Sequence, residues 1–133
     1  DYVNKIIKNR ESFRPFAPAI LYEYKNLFFE NVENIDSNYM EKVAYFKKNL
    51  RNKLPSVVHV DGTGRLQTVN KEINKKFYLL INEFYKLTGF PILLNTSFNV
   101  DGEPIVKNPQ DALRNFFSSG LDMLVINDFL IEK

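Results

Sequence analysis

The sequence predicts an α/β (α+β) fold, in which helices flank a mixed, twisted β-sheet in a single domain spanning residues 1–133. The length of 133 residues is close to that of one ordinary domain. Apolar runs typical of strands alternate only partly with helical patterns, which fits a mixed sheet better than a purely parallel one. No internal repeat and no second domain boundary interrupts this pattern.

The first third of the chain predicts two short helices and two strands. Apolar residues at helical spacing predict a short helix over residues 2–9. The two prolines of RPFAPAIL (residues 14–21) favour extended chain that enters a strand. A short helix is expected around Glu23–Phe29 and a surface loop over Asn31–Asn38, and YMEKVAYF (residues 39–46) then alternates like a strand.

A hairpin is predicted in the middle of the chain. SVVHV (residues 56–60) and RLQTV (residues 65–69) are strand candidates on either side of Asp61-Gly62-Thr63-Gly64. An Asp-Gly step between two such runs is a strong local signal for a tight turn.

The last part of the chain predicts two helices and three strands. An amphipathic helix is marked by Ile73, Phe77, Leu80, Ile81, Phe84 and Leu87, and it ends at Gly89. PILLN follows as a buried strand. Asn108 and Pro109 begin a second helix that ends at Gly120 and turns Ala112, Leu113, Phe116 and Phe117 to the core. MLVI and FLIE form a final hairpin through Asn127-Asp128.

Composition excludes several classes of function. The chain has no cysteine and one histidine, which excludes disulfide frameworks, cysteine-rich zinc sites and thiol catalysis. A net charge of +2 makes nucleic acid an unexpected partner. No apolar run is long enough to cross a bilayer and no secretory signal is visible, so we expect a cytoplasmic protein without a membrane partner. Because the first residue is Asp1 and not Met, we expect a fragment of a longer chain.

Three polar clusters are candidates for chemistry. In KNRESFRP, Lys8, Arg10 and Arg14 would line one wall of a phosphate pocket if the segment is extended, the alternative being a solvated charged face. In HVDGTGRLQTV, His59 and Asp61 share one side of the first strand and Arg65 and Gln67 one side of the second, although a plain surface hairpin would carry the same residues.

The third cluster follows the apolar strand in ILLNTSFNVDGEP. On an extended chain Asn95, Ser97 and Asn99 point the same way at a strand end, where ligands commonly bind, unless the segment is an Asn-rich turn that satisfies its own backbone. Glu103 is a weak candidate for a magnesium ligand. Most aromatic residues fit core positions, but Phe13, Phe16 and Phe98 lie beside the polar clusters and are candidates for stacking on adenine.

Four segments in order, KNRESFRPFAPAIL, PSVVHVDGTGRLQTV, TGFPILLNTSFNVDGEPIV and LDMLVINDFLIEK, resemble the carboxy-terminal domain of the O-carbamoyltransferases that modify nodulation factors and antibiotics. That domain is similar to the YrdC fold, whose members carry Lys-x-Arg followed later by Ser-x-Asn. Lys8-Asn9-Arg10 and Ser97-Phe98-Asn99 match both halves.

The resemblance implies an adenylate-forming activity. It implies catalytic roles for Lys8, Arg10, Ser97 and Asn99, and, less firmly, roles in binding ATP and carbamoyl phosphate for Arg14, His59, Thr63, Arg65 and Asn95. Carbamate formed from carbamoyl phosphate would attack ATP to give a carbamoyl adenylate, by positioning and charge neutralisation rather than covalent catalysis. Mg²⁺ would arrive with ATP, because no dedicated metal cage is visible.

The resemblance also implies a partner and leaves alternatives open. In the family an amino-terminal domain with bound iron transfers the carbamoyl group to a hydroxyl, so the chain alone would lack complete transferase activity. One alternative is a YrdC-type adenylate synthase of tRNA modification, which uses threonine and bicarbonate. Another is a nucleotide-binding regulatory module without turnover. A bare RNA-binding module is a weaker alternative, because the charge is nearly neutral.

Overall fold

Four of the predicted strands form one mixed sheet in the computed structural model, which describes residues 2–133. The chain divides into two compact units. The central unit is Pro15–Thr96, and the terminal unit consists of the residues up to Arg14 together with Ser97–Lys133. The α/β class with a mixed sheet and flanking helices is confirmed. That both units act as one domain stays a prediction.

The central unit contains the four-stranded sheet. Its elements are β1 (Ala17–Leu21), a 3₁₀ turn (Tyr22–Tyr24), α1 (Lys25–Phe28), β2 (Lys42–Tyr45), α2 (Lys48–Arg51), β3 (Thr63–Val69), α3 (Lys75–Thr88) and β4 (Ile92–Asn95). The strand order is β2-β3-β1-β4. β1 runs parallel to β3, whereas β2 against β3 and β4 against β1 are antiparallel.

The two faces of this sheet have different environments. On one face, Ala19, Leu21 and Val69 pack against Ile81 of α3. On the other face, Gly64 lies so close to Phe46 that a Cβ atom at this position would be 2.5 Å from the ring carbon Cε2. Residue 64 is therefore glycine because the buried Phe46 ring occupies the space of a side chain.

Local signals set the ends of the long helix. The side chain of Asn74 accepts a hydrogen bond from the Phe77 amide at 3.2 Å, and Gly89 ends α3 with φ at 76°. The predicted apolar face is only partly buried, because Ile81 is 0% exposed whereas Leu80 is 59% and Leu87 is 86% exposed.

The predicted strand SVVHV is wrong. None of residues 56–60 is in a strand, and the amides of Val57 and Val58 are both bonded to the Leu54 carbonyl. β3 already has β1 and β2 on its two sides, so a further strand has no free edge of β3 to pair with. The turn itself is confirmed, since the Gly62 amide donates to the His59 carbonyl at 2.9 Å.

The terminal unit combines both ends of the chain. It contains a single π-helical turn (Val3–Ile7), α4 (Pro109–Ser118), β5 (Met123–Ile126) and β6 (Phe129–Glu132). Asn108 caps α4 by accepting from the Asp111 amide at 2.8 Å, as predicted. β5 and β6 pair antiparallel through the predicted turn, with Asn127 in the left-handed region at φ 52°.

The core of the terminal unit forms between α4 and the final hairpin. Ala112, Phe116 and Leu124 are its buried members, and Leu113 packs against them. Phe117, predicted to face this core, is 61% exposed, so that prediction is wrong. Within residues 2–133, no helix is both long and apolar enough to cross a membrane.

Candidate functional site

The Lys8-Asn9-Arg10 motif lies where the π-helical turn ends. The Lys8 amide donates to the Val3 carbonyl at 2.8 Å, and the Arg10 amide donates to the Asn4 carbonyl at 2.9 Å. Asn9 between them is left-handed, with φ at 52°. The segment is therefore not extended, which was the condition for the predicted pocket wall, and Lys8 and Arg10 flank the left-handed Asn9. The alternative of a solvated charged face does not hold for Lys8, which is buried.

The Ser97-Phe98-Asn99 motif forms a bend in the same unit. The Ser97 hydroxyl donates to Asn99 Oδ1 at 2.6 Å, and Asn99 Nδ2 donates to the Glu103 carbonyl at 2.8 Å. The Asp101 amide then donates to the Lys8 carbonyl at 2.9 Å, which joins this segment to the Lys8 backbone. β4 ends at Asn95, so the strand alternation predicted to reach Ser97 and Asn99 stops before them.

The side chain of Lys8 brings the two motifs together. Its Nζ donates to the Ser97 carbonyl at 2.6 Å, the Asn99 carbonyl at 2.5 Å and Asn99 Oδ1 at 2.8 Å, and it lies 3.4 Å from Ser97 Oγ. Lys8 is only 3% exposed. Three protons of a buried ammonium are thus matched by three oxygens of two residues that lie about ninety positions away in sequence.

The charge of Lys8 is held by neutral groups. Burial lowers the pKa of Lys8, the neighbouring Arg10 lowers it further, and Asp101 acts in the opposite direction. Every described atom that Lys8 Nζ bonds is a carbonyl, an amide oxygen or a hydroxyl. The dipoles of these groups therefore stabilise the ammonium, and no carboxylate among these partners neutralises it.

Arg10 is held from inside the terminal unit by Asn4. Arg10 Nε donates to Asn4 Oδ1 at 2.7 Å. Burial lowers the pKa of Arg10, and the nearby Arg14 adds to this effect. The guanidinium stays charged at neutral pH because an arginine pKa begins so high.

Arg14, the third predicted cation, has two carboxylate partners. Its Nε lies 2.8 Å from Glu11 Oε2 and its Nη1 lies 3.2 Å from Asp101 Oδ1. An open recess of about 350 Å³ beside these groups is lined by Lys5, Asn9, Arg10, Glu11 and Asp101. This volume lies in the range of small-molecule sites in proteins.

In the central unit, three predicted residues share one face of the sheet. Thr63 and Arg65 lie at alternate positions of β3, and Gln67 continues the series. Asn95 at the end of β4 donates from Nδ2 to Gln67 Oε1 at 2.7 Å. Arg65 is exposed on this face, whereas Thr63 is buried.

His59 reaches Thr63 through the turn rather than across a hairpin of two strands. The Thr63 hydroxyl lies 2.7 Å from Asp61 Oδ1 and 3.0 Å from His59 Nδ1. The hydrogen bond from Thr63 lowers the pKa of Asp61, so the carboxylate is ionised and takes the single hydroxyl proton. Because this hydroxyl has no second proton, we infer that His59 Nδ1 is the donor in its contact with Thr63.

The remaining sequence candidates differ in exposure. Phe13 is 81% exposed, Phe16 is 7% exposed, and Phe98 packs against the core of the terminal unit. Glu103 Oε2 lies 3.9 Å from Arg114 Nη2. No group of three or more His, Cys, Asp or Glu within the described part of the chain could hold a metal ion.

Comparison with known proteins decides the family. A family model described as "Carbamoyltransferase C-terminus" matches residues 1–133. The chain belongs to this carbamoyltransferase C-terminus family. The relationship inferred from the four sequence segments is confirmed.

Several relatives align with the entire carbamoyltransferase domain. Nodulation protein NolNO of Sinorhizobium fredii is 48% identical over 134 residues, covering 100% of this chain and 20% of the relative. Nodulation protein NolO of Bradyrhizobium diazoefficiens is 44% identical, again over 100% of this chain and 24% of the relative. The 3'-hydroxymethylcephem-O-carbamoyltransferase of Amycolatopsis lactamdurans is 33% identical over 100% of this chain and 25% of the relative. The chain therefore spans about a fifth to a quarter of the length of these relatives.

Two residues of this carbamoyltransferase domain were missed by sequence reasoning. Asn4 holds Arg10, and Asp101 pairs with Arg14 and bonds the Lys8 backbone. No sequence signal marked Asn4, because an asparagine beside Lys5 in a short helical stretch fits an exposed position equally well. Asp101 was not marked either, since an Asp-Gly step is ordinary turn chemistry.

Proposed function

We propose that this domain binds ATP and carbamoyl phosphate and forms a carbamoyl adenylate within a longer carbamoyltransferase. The observation that carries the proposal is the contact of Lys8 Nζ with Ser97 and Asn99, which joins the two motifs that the resemblance identifies. The family is that of carbamoyltransferases, and a relative named as an O-carbamoyltransferase aligns with the whole chain. The hydroxyl acceptor belongs to the chemistry of the longer protein.

Charge supports phosphate as the ligand of the terminal unit. Lys8 Nζ is surrounded by neutral oxygens, and its pKa is lowered first by burial and then by repulsion from the neighbouring Arg10. A polyphosphate between or beside them would relieve that repulsion and supply the opposite charge. The recess of about 350 Å³ next to Arg10 offers room for such a group.

In the proposed reaction two bonds to phosphate break in succession. Water cleaves carbamoyl phosphate to carbamate and inorganic phosphate, and a proton passes to solvent. A carbamate oxygen then attacks the α-phosphorus of ATP. The bond from this phosphorus to the bridging oxygen breaks, and pyrophosphate leaves with the electron pair and with the Mg²⁺ that ATP brings. The domain contributes position and positive charge rather than a covalent intermediate.

The predicted residues would share this work unequally. Lys8 and Arg10 would neutralise charge that moves onto the leaving pyrophosphate, while Ser97 and Asn99 would orient oxygens of the substrate. A phosphate contact of Arg14 competes with Glu11 and Asp101, so we assign it a smaller contribution. His59, Thr63, Arg65 and Asn95 keep the binding roles that the resemblance implies, as predictions.

The test is carbamoyl-phosphate-dependent release of pyrophosphate from ATP by the full-length protein. Lys8→Ala and Ser97→Ala are each expected to lower kcat/KM by about 100-fold or more, because they remove charge and orientation at the reacting phosphates. Lys86→Ala is the matched control, since Lys86 pairs with Glu83 on the exposed side of α3. Ser118→Ala controls for loss of a hydroxyl.

Three other outcomes would contradict the proposal in distinct ways. Tight ATP binding by calorimetry without any pyrophosphate release would indicate a regulatory module. Release that depends on threonine and bicarbonate would indicate the adenylate synthase of tRNA modification. Unchanged turnover in Lys8→Ala and Ser97→Ala would place the active residues elsewhere.

A further inference from the structure

Asn4 is a buried polar residue whose side-chain contacts all lie beside the cationic motif. It is 2% exposed and belongs to the π-helical turn. Its Oδ1 accepts from Arg10 Nε at 2.7 Å, and its Nδ2 donates to the carbonyls of Ser12 at 3.2 Å and Arg14 at 2.8 Å. One amide thus contacts both sides of the segment between Arg10 and Arg14.

The orientation of this amide follows from its partners. Arginine Nε can only donate and a backbone carbonyl can only accept, so the oxygen of Asn4 must face Arg10 and the nitrogen must face Ser12 and Arg14. Both amide protons are used. Residue 4 must therefore supply one acceptor and two donors in fixed directions, which neither Asp nor Leu, of similar size, can do.

We propose that Asn4 is a positioning residue, which orients the Arg10 guanidinium for phosphate contact without neutralising it. The inference rests on the proposed function of the site. Because the bond to Asn4 takes Nε, a phosphate contact of Arg10 would have to be made through the terminal nitrogens of the guanidinium. A carboxylate at position 4 would hold Nε equally well but would bring a negative charge to a group that must attract phosphate.

A second effect follows from the two carbonyl contacts. Because Asn4 Nδ2 binds the carbonyls of Ser12 and Arg14, the backbone that follows Arg10 is fixed relative to the π-helical turn. π-Helical turns occur frequently at functional sites. Here the turn contains Asn4, whose side-chain amide contacts Arg10 of the Lys-x-Arg motif. The reach of Arg10 is thus set by residues that do not themselves contact phosphate.

The experiment is a double-mutant cycle in the full-length protein, read by carbamoyl-phosphate-dependent pyrophosphate release. Asn4→Ala is expected to raise the KM for ATP by about 10-fold, because misplacement of a phosphate-binding group by a fraction of an ångström is costly. In an Arg10→Ala background the same change is expected to alter the KM for ATP by less than about twofold, since the group that it positions is gone. The melting temperature is measured for all four proteins.

Asn4→Ser provides a second variant if Asn4→Ala fails to fold. Its smaller polar side chain leaves room for water to meet the carbonyls of Ser12 and Arg14, while the bond to Arg10 Nε is lost. The expected pattern is the same: a raised KM for ATP that disappears when Arg10 is alanine.

The outcomes separate this inference from the proposed function. An Asn4 effect that persists undiminished in the Arg10→Ala background, or no effect of Asn4 on the KM for ATP, overturns the positioning role and leaves the proposed function intact. Unchanged pyrophosphate release in Arg10→Ala alone overturns the phosphate-binding role of Arg10 on which both depend. A matching loss of melting temperature in both backgrounds with unchanged KM would identify Asn4 as a structural residue only.

Discussion

Lys8→Met removes the buried ammonium while keeping the length of the side chain, and two opposing terms decide its effect on stability. Three bonds from Nζ, at 2.5–2.8 Å, are lost. Bonds to a charged group contribute about 1.5–3 kcal/mol each, whereas burying an ammonium costs several kcal/mol. Ser97 is exposed and Asn99 half-buried, so water can reach the abandoned oxygens. We expect the free energy of unfolding at neutral pH to fall by less than about 2 kcal/mol.

The pH dependence of Lys8→Met is the sharper measurement. Burial, with a contribution from Arg10, lowers the pKa of Lys8 in the folded state below its unfolded value of 10.5. Between these two pKa values the unfolded state binds more protons, so the free energy of unfolding rises with pH and the rise ends near 10.5. Below the lowered pKa, Lys8 contributes no pH dependence. Lys8→Met should lack this rise.

Denaturant unfolding at a series of pH values from neutral to alkaline tests both parts. The difference in unfolding free energy between the native protein and Lys8→Met should shift in favour of the native protein as pH increases. Lys86→Met, at an exposed position, is the control for loss of a lysine. Parallel pH profiles for the native protein and Lys8→Met would refute this reasoning. So would a fall in the free energy of unfolding of more than about 4 kcal/mol at neutral pH, because the cost of burying the ammonium would then not offset its hydrogen bonds.

Three further predictions concern the central unit. Glu23 accepts a hydrogen bond from Tyr78 and raises the pKa of Tyr78 to about 12. The folded protein gains stability from this bond below about pH 10 and loses it as pH rises towards 12, so Tyr78→Phe should remove the last phenolate transition in ultraviolet absorbance. Gly64→Ala places a methyl group 2.5 Å from Phe46 Cε2 and should lower the free energy of unfolding in urea by about 1–3 kcal/mol. Gly89 is not a suitable control position, because its positive φ would strain any side chain placed there. Asn74→Ala removes the cap of α3 and should cost about 1 kcal/mol by the same measurement.

Local signals predicted the elements whose stability is local. The cap at Asn108, the helix end at Gly89 and the turn at Asn127 each depend on neighbours within a few residues, and all three predictions are confirmed. The strand predicted at SVVHV failed for the opposite reason. Apolar β-branched residues favour a strand only where a partner edge exists, and β3 had none left after pairing with β1 and β2.

The sequence motifs identified residues of the candidate site but did not predict how those residues contact one another. The matches at Lys8 and Ser97 identified two segments about ninety residues apart, and the structure brings their side chains together. The extended geometry assumed for Lys8 and Arg10 was wrong, because a left-handed Asn9 reverses the chain. Asn4 was missed, since its role depends on the direction of one side chain in a π-helical turn, which sequence spacing does not fix.

The three cations predicted at the candidate site, Lys8, Arg10 and Arg14, differ in the groups that contact them. Lys8 is held by carbonyl and amide oxygens and Arg10 by the amide of Asn4, contacts that fix direction while adding no negative charge. Arg14 instead contacts the carboxylates of Glu11 and Asp101, which offset its field at short range. The partners of Lys8 Nζ among the described residues are all neutral oxygens, whereas two carboxylates lie beside the guanidinium of Arg14. If the terminal unit binds phosphate as proposed, we therefore expect Lys8 to contribute more to the attraction than Arg14 does.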